Sequence, residues 1–236
     1  MIFPNKNVFL VTSCIKPTIG VFSANQRLEQ TIETFNSILK KVPDATIILC
    51  DCSVIPLEKN ELEKFQNKIS GFLDLSFDEN LNNLCKSGMK SHAETLLLLN
   101  VLQQLKQNPN LMKLIHSTKR LFKISGRYKL QDSFDISAYD NLYGKYVFRK
   151  RIPSWLSEND QKLTGATDLL VTRLFSFCPS LIDEYINVLI NNFKSLDMGL
   201  DTEHSHFLNI DKKHLVEFEK VHCEGLIAAN GELLED

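Results

Sequence analysis

The sequence lacks several things that would have settled its class at once. No apolar run approaches the roughly 18–20 residues of a membrane span, so no integral membrane segment is expected. The early cluster Val8-Phe9-Leu10-Val11 is too short for a signal-peptide core and has no basic leader, which leaves a cytoplasmic protein as the expectation. Neither sign of charge dominates: 27 basic residues stand against 29 acidic ones, a net charge of −2. That gives no electrostatic footprint for nucleic acid or an anionic membrane. There is no G-x-G-x-x-G, no G-x-x-x-x-G-K-[ST] and no G-x-S-x-G, the usual marks of dinucleotide, P-loop and serine-hydrolase sites. There is also no Asp-x-Asp anywhere. The six cysteines are scattered, with Cys50-x-Cys52 the only close pair. They read as reduced core thiols rather than a disulfide framework.

What remains is globular. The chain has 236 residues, 43% hydrophobic and 24% charged. That suits one domain over 1–236 with a sizeable core. Val8–Ser13 reads as a buried parallel strand ending in small polar residues. Arg27–Lys41 reads as a helix, with Leu28, Ile32, Phe35 and Leu39 on one face and Pro43 beyond its end. Ala45–Asp51 is a second strand, 58–69 a helix, and 71–77 a third strand. Ser91–Gln107 is a helix ended by Asn108-Pro109-Asn110, and Leu121–Ile124 a fourth strand. Alternating strands and helices over 1–130 predict a Rossmann-like α/β fold with a mainly parallel central sheet flanked by helices. In such sheets the site lies at the carboxyl ends of the strands. Those ends are Thr12-Ser13, Asp51-Cys52-Ser53 and Ser125-Gly126-Arg127. The half from 131 to 236 reads as mixed α+β: strands at Tyr146–Phe148 and Leu169–Phe177, helices at Pro179–Phe193 and 201–209, and a hairpin over 221–234 turning at Ala229-Asn230-Gly231.

The opening unit is a strand, then Arg27-Leu28, then Thr31-x-x-Thr34-x-x-Ser37-Ile38-Leu39, then a strand ending in Asp51-Cys52-Ser53. It resembles the start of GT-A-type glycosyltransferases. The string Lys123-Ile124-Ser125-Gly126-Arg127-Tyr128 is similar to one in glycosyltransferase-like proteins of bacteria and viruses. The resemblance implies a nucleotide-sugar donor, with the nucleoside held by Thr12, Ser13, Arg27 and Asp51. It sets Lys90, at the start of the third helix, beside the donor diphosphate. It places an Asp-x-Asp where this chain has Ser125-Gly126-Arg127, so Lys123 and Arg127 stand in for a metal against the leaving diphosphate, and Gly126 lets backbone approach the ligand. Dependence on Mn²⁺ or Mg²⁺ stays open. Glu203, with Asp201 as runner-up, falls where inverting members place a catalytic carboxylate. The acceptor implied is a glycan or a lipid-linked molecule, with Trp155, Thr167 and Asp168 on its side of the cleft.

Plainer readings stand beside each of these. Asp51 caps a turn. Ser91 and Glu94 form a capping box. Arg127 is a surface residue of a strand-end turn. Asp201 and Glu203 complement a helix dipole. His204-x-His206 lacks the spacing and the third ligand of a zinc site. A nucleotidyltransferase of related fold and a non-catalytic nucleotide- or sugar-binding protein remain as alternative functions.

Overall fold

The computed structural model describes residues 6–227 and 230–236. In chain order its elements are β1 (Lys6–Ser13), α1 (Ala24–Lys41), β2 (Thr46–Asp51), α2 (Lys59–Glu63), β3 (Gly71–Asp74), α3 (Glu79–Ser87), α4 (Lys90–Gln107), α5 (Pro109–His116), β4 (Thr118–Ser125) and β5 (Tyr128–Leu130). There follow β6 (Tyr146–Arg149), β7 (Ile152–Pro153), α6 (Glu158–Thr164), β8 (Asp168–Leu169), β9 (Leu174–Phe177), α7 (Ile182–Asp197), α8 (Thr202–Asn209), β10 (Leu215–Phe218), β11 (Cys223–Leu226) and β12 (Leu233–Glu235).

Seven strands form the central sheet in the order β3-β2-β1-β4-β9-β6-β10. Every pairing is parallel except the two made by β9. Successive residues of β1 feed opposite faces: Val8 and Leu10 join one apolar cluster, with Leu97 and Leu98 of α4 and Tyr185 of α7, and Phe9 and Val11 join the other, with Phe35 and Ile38 of α1. Burial on both faces is why the strand is apolar throughout rather than alternating. Among the described residues no helix is long and apolar enough to cross a membrane.

Several local expectations are corrected. Helix α2 covers only 59–63 of the expected 58–69; beyond it the chain tightens into i→i+3 turns, Phe65 N on Leu62 O at 2.9 Å and Lys68 N on Phe65 O at 2.7 Å, that still bury Phe65. Strand β3 stops at Asp74, whose Oδ1 accepts from Ser76 N at 2.9 Å and turns the chain. The Asn108-Pro109 break is both a stop and a start. The Asn108 N–H closes α4 on Gln104 O at 3.0 Å, while its side chain caps α5, which begins on Pro109. Helix α4 begins at Lys90 with Met89 as N-cap, so Ser91 lies inside the first turn and is no cap. The expected strand 169–177 is broken at 170–173, between β8 and β9. The C-terminal hairpin is present, with Leu226 opposite Leu233; Ala229 of its expected turn lies outside the described residues.

Candidate active site

Parallel pairing carries three strand ends to one place. Thr12 is opposite Ser125, and Ser13 is opposite Asp51. Above them opens a cavity of about 350 Å³, within the range of small-molecule sites. Of the expected donor-site residues, Thr12, Ser13, Arg27, Lys90, Ser125 and Arg127 line it; Asp51, Lys123 and Gly126 do not.

The helix pattern Thr31-x-x-Thr34-x-x-Ser37 has a direct physical role. Thr31 Oγ1 donates to Gly126 O at 3.0 Å and Thr34 Oγ1 to Tyr128 O at 2.8 Å, while Ser37 Oγ accepts from Leu130 N at 3.0 Å. One stripe of α1 therefore pins the segment 126–130 and fixes where Arg127 starts. Gly126 serves the same junction. A Cβ there would lie 3.2 Å from Thr31 Oγ1 and 3.3 Å from both Ser13 Cβ and Thr12 O, so the close approach is to β1 and α1 rather than to a ligand.

Two guanidinium groups face this cavity. Arg27 is 5% exposed, and its contact is with Gln30 at 2.8 Å. Burial, with Arg127 beside it, pushes its pKa down to about 10. The Nε of Arg127 is buried with no hydrogen-bond partner among the described residues. Neither guanidinium has a carboxylate within salt-bridge distance among the described residues, so an anion entering the cavity would meet both positive charges. Lys90 opens α4 beside them; that helix start has no side-chain cap, and with the Met89 and Lys90 N–H groups on Leu84 O and Gly88 O, the Ser91 and His92 amides are left for solvent or an anion.

Lys123 has a different task from the one expected. Its side chain is fully buried and donates to Glu94, to Ser125 Oγ at 2.9 Å and to Thr172 O at 2.8 Å. All three ammonium hydrogens are used, which leaves none for a diphosphate. It instead positions Glu94, the one carboxylate lining the cavity among the described residues and one that sequence reasoning had spent on a cap. Burial alone would raise the Glu94 pKa, but the charge and hydrogen bond of Lys123, with Arg127 behind, hold it below its ordinary value. The i, i+4 spacing of Lys90 and Glu94 on one helix face was the available signal.

Asp51 is 1% exposed, and its carboxylate accepts from Ile15 N at 3.0 Å and Ser53 N at 2.9 Å. Burial lifts its pKa to about 6 against those bonds. It ties the loops after β1 and β2 and so shapes the cavity wall. Asp201 is the N-cap of α8: Oδ1 accepts from the His204 N–H at 2.9 Å and pairs with the His204 ring at 2.8 Å. Glu203 sits in the first turn of α8, as expected, half-buried, with Oε1 accepting from Thr172 Oγ1 at 3.0 Å. Burial, with Glu94 and Asp201 nearby, raises its pKa to about 7. It does not line the cavity; Thr172 joins it to Lys123 on the far side. Trp155 is 65% exposed and meets the His204 ring edge-on at 4.8 Å, so it stands over the start of α8. Thr167 and Asp168 hydrogen-bond to one another at 2.8 Å at β8, away from the cavity.

Where the family resemblance places an Asp-x-Asp, this chain has Ser125-Gly126-Arg127. The end of β4 offers a serine, a glycine and an arginine, and among the described residues no group of three or more His, Cys, Asp or Glu is arranged to hold a metal ion. That donor set, one hydroxyl and no carboxylate, does not fit Mg²⁺ or Mn²⁺, which are held through carboxylate oxygens.

No protein-family model and no curated protein matches the sequence. Solved structures do match in fold. The mannosyltransferase Ktr4p of S. cerevisiae superposes with a TM-score of 0.53 at 10% identity, covering 90% of this chain and 68% of its own. The same enzyme in complex with GDP gives 0.50 at 12%, over 90% and 69%. The galactosyltransferase LgtC, solved with donor and acceptor sugar analogues, gives 0.49 at 10%, over 90% and 72%. The chain has the fold of GT-A-type glycosyltransferases.

Proposed function

We propose that the protein transfers a sugar from a nucleoside-diphosphate sugar to an acceptor hydroxyl, without a divalent metal. The observation that carries this reading is the pair Arg27 and Arg127, free of carboxylate partners, in a cavity at the carboxyl ends of parallel strands. A ligand with a diphosphate supplies the missing anion. The GDP complex of a neighbour with the same fold supports that ligand class.

In the reaction the acceptor oxygen forms a bond to the anomeric carbon, the bond from that carbon to the β-phosphate oxygen breaks, and its electron pair passes to the diphosphate. Arg27, Arg127, Lys90 and the amides at the start of α4 stabilise the growing negative charge. Glu94, held by Lys123, accepts hydrogen bonds from sugar hydroxyls through the carboxylate oxygen that Lys123 leaves open. Glu203, beyond Lys123 on the α8 side rather than on the cavity wall, takes the proton of an acceptor hydroxyl that enters from that side; its pKa near 7 suits a base at neutral pH. Trp155, over the start of α8, offers an apolar face to a glycan or lipid-linked acceptor, with Thr167 and Asp168 further out on that side.

Calorimetric titration with GDP, UDP and their sugars, each with and without Mn²⁺, tests the reading. Saturable binding of at least one nucleoside diphosphate that is unchanged by Mn²⁺ is expected. Absence of binding across the panel would overturn the donor site. Binding with no transfer to any acceptor would leave a non-catalytic binding protein.

A further inference from the structure

Three thiols stand together on the cavity wall and have no part in the proposed reaction. Cys14 follows β1, Cys52 follows β2, and Cys85 lies in the last turn of α3. Scattered in the sequence, these three free thiols are brought to one wall by the fold. The Cys52 thiol donates to Ser13 O at 3.2 Å. Cys14 Sγ and Cys85 Sγ also lie 4.0 and 3.9 Å from the Cys52 carbonyl oxygen. The three differ in access: Cys52 is 7% exposed, whereas Cys14 and Cys85 are half-buried and open to the cavity. They also differ in acidity. The neighbouring Cys52 thiol lowers the Cys85 pKa, while the neighbouring Cys14 and Cys85 thiols, with burial, push the Cys52 pKa up. An accessible, more acidic thiol beside a second, shielded one is the arrangement of an attacking and a resolving cysteine.

We propose that Cys85 is a peroxide-reactive thiol and that Cys52 resolves it to a disulfide that narrows the donor cavity. The Cys85 thiolate attacks one oxygen of hydrogen peroxide. The O–O bond breaks, an S–O bond forms, and hydroxide leaves and is protonated to water. Cys52 sulfur then attacks the Cys85 sulfur. The S–S bond forms, the S–O bond breaks, and the hydroxyl departs as water with the Cys52 proton. Two thiols lose two electrons in all, and one peroxide becomes two waters. Covalent closure draws the end of α3 toward the loop after β2, with Leu84 and Cys85 moving into the space a ligand would fill.

The test treats the full chain with hydrogen peroxide, blocks the remaining thiols by alkylation, and maps the unreduced digest by mass spectrometry. A Cys52–Cys85 cross-linked peptide is expected, removed by dithiothreitol and absent from Cys85→Ser. Cys14→Ser should still form it. Unaltered melting of the reduced variants shows that they fold. A Cys14–Cys52 bridge, oxidation that stops on Cys85 alone, or six unchanged thiols would each overturn the proposal. The cross-link is read whether or not the cavity binds a nucleotide, so it stands apart from the function proposed above. Only the second readout rests on that function: nucleoside-diphosphate affinity should fall about tenfold or more on oxidation and return on reduction. A cross-link that leaves a measurable affinity unchanged would overturn the narrowing.

Discussion

At the scale of single residues, charge without a partner separates site from scaffold. Lys123 and Arg127 are four positions apart on one strand and its turn, and they read alike in the sequence. Lys123 is saturated by protein acceptors, whereas Arg127 keeps a buried donor unsatisfied. Arg127→Ala should therefore weaken nucleoside-diphosphate binding by about 1.5–3 kcal/mol, roughly 10- to 150-fold. Equal affinity in calorimetry would remove Arg127 from the site. Lys123→Met should instead raise the Glu94 pKa and impair nucleotide-sugar binding more than binding of the bare diphosphate, which paired titrations resolve. Glu203→Gln keeps shape and removes basicity. It should lower turnover by about 10²–10⁴ and leave donor affinity nearly unchanged. In the wild type, turnover should rise with pH through about 7, as Glu203 ionises, and that rise should vanish in the variant. Near-normal turnover in Glu203→Gln would sink the assignment.

Among elements, α1 and α8 carry the positioning. Thr34→Val keeps the shape of the α1 side chain but leaves the Tyr128 carbonyl unpaired. A loss of about 1–3 kcal/mol in denaturant melts, with weaker nucleotide binding, is expected. Glu33→Ala, on the exposed side of the same helix, should change neither. Helix α8 rests on a buried ring: His206 Nδ1 pairs with Thr202 O at 2.7 Å and Nε2 with Tyr185 OH at 2.9 Å. Burial pushes its pKa down to about 4. The unfolded chain then binds the proton more readily, so the contribution of His206 is present above about pH 6.5 and is lost as pH falls toward 4. Asp51 and Glu203, with raised pKa values, act with the opposite sign over an overlapping range. The wild-type curve thus mixes these effects, and the difference from His206→Gln isolates one. That stability gap should narrow from pH 7 to pH 4; a constant gap would contradict the buried neutral ring.

Across the whole molecule, what was legible followed hydrophobic periodicity. Strands β1, β2 and β4 and helices α1, α4 and α7 have apolar cores long enough to declare themselves, and the strand-end rule then located the cavity. Elements held by single polar contacts were not visible. Helices α3 and α5 depend on the Asp78 and Asn108 caps, and β10 depends on a parallel partner far away in sequence. The site divided the same way. The strand and helix ends put Arg127 and Lys90, and the family resemblance put Arg27, among the candidates, and all three line the cavity. The exchange of roles between Lys123 and Glu94 was not legible, because it depends on which side chains are buried together. The measurement that bears most directly on the central claim is a crystal structure of the chain with a bound nucleoside-diphosphate sugar. The diphosphate should lie within hydrogen-bond distance of Arg127 and Arg27, with the sugar toward Glu94 and no metal bridging the phosphates. A diphosphate held elsewhere on the molecule, or reached only through a metal ion, would contradict it.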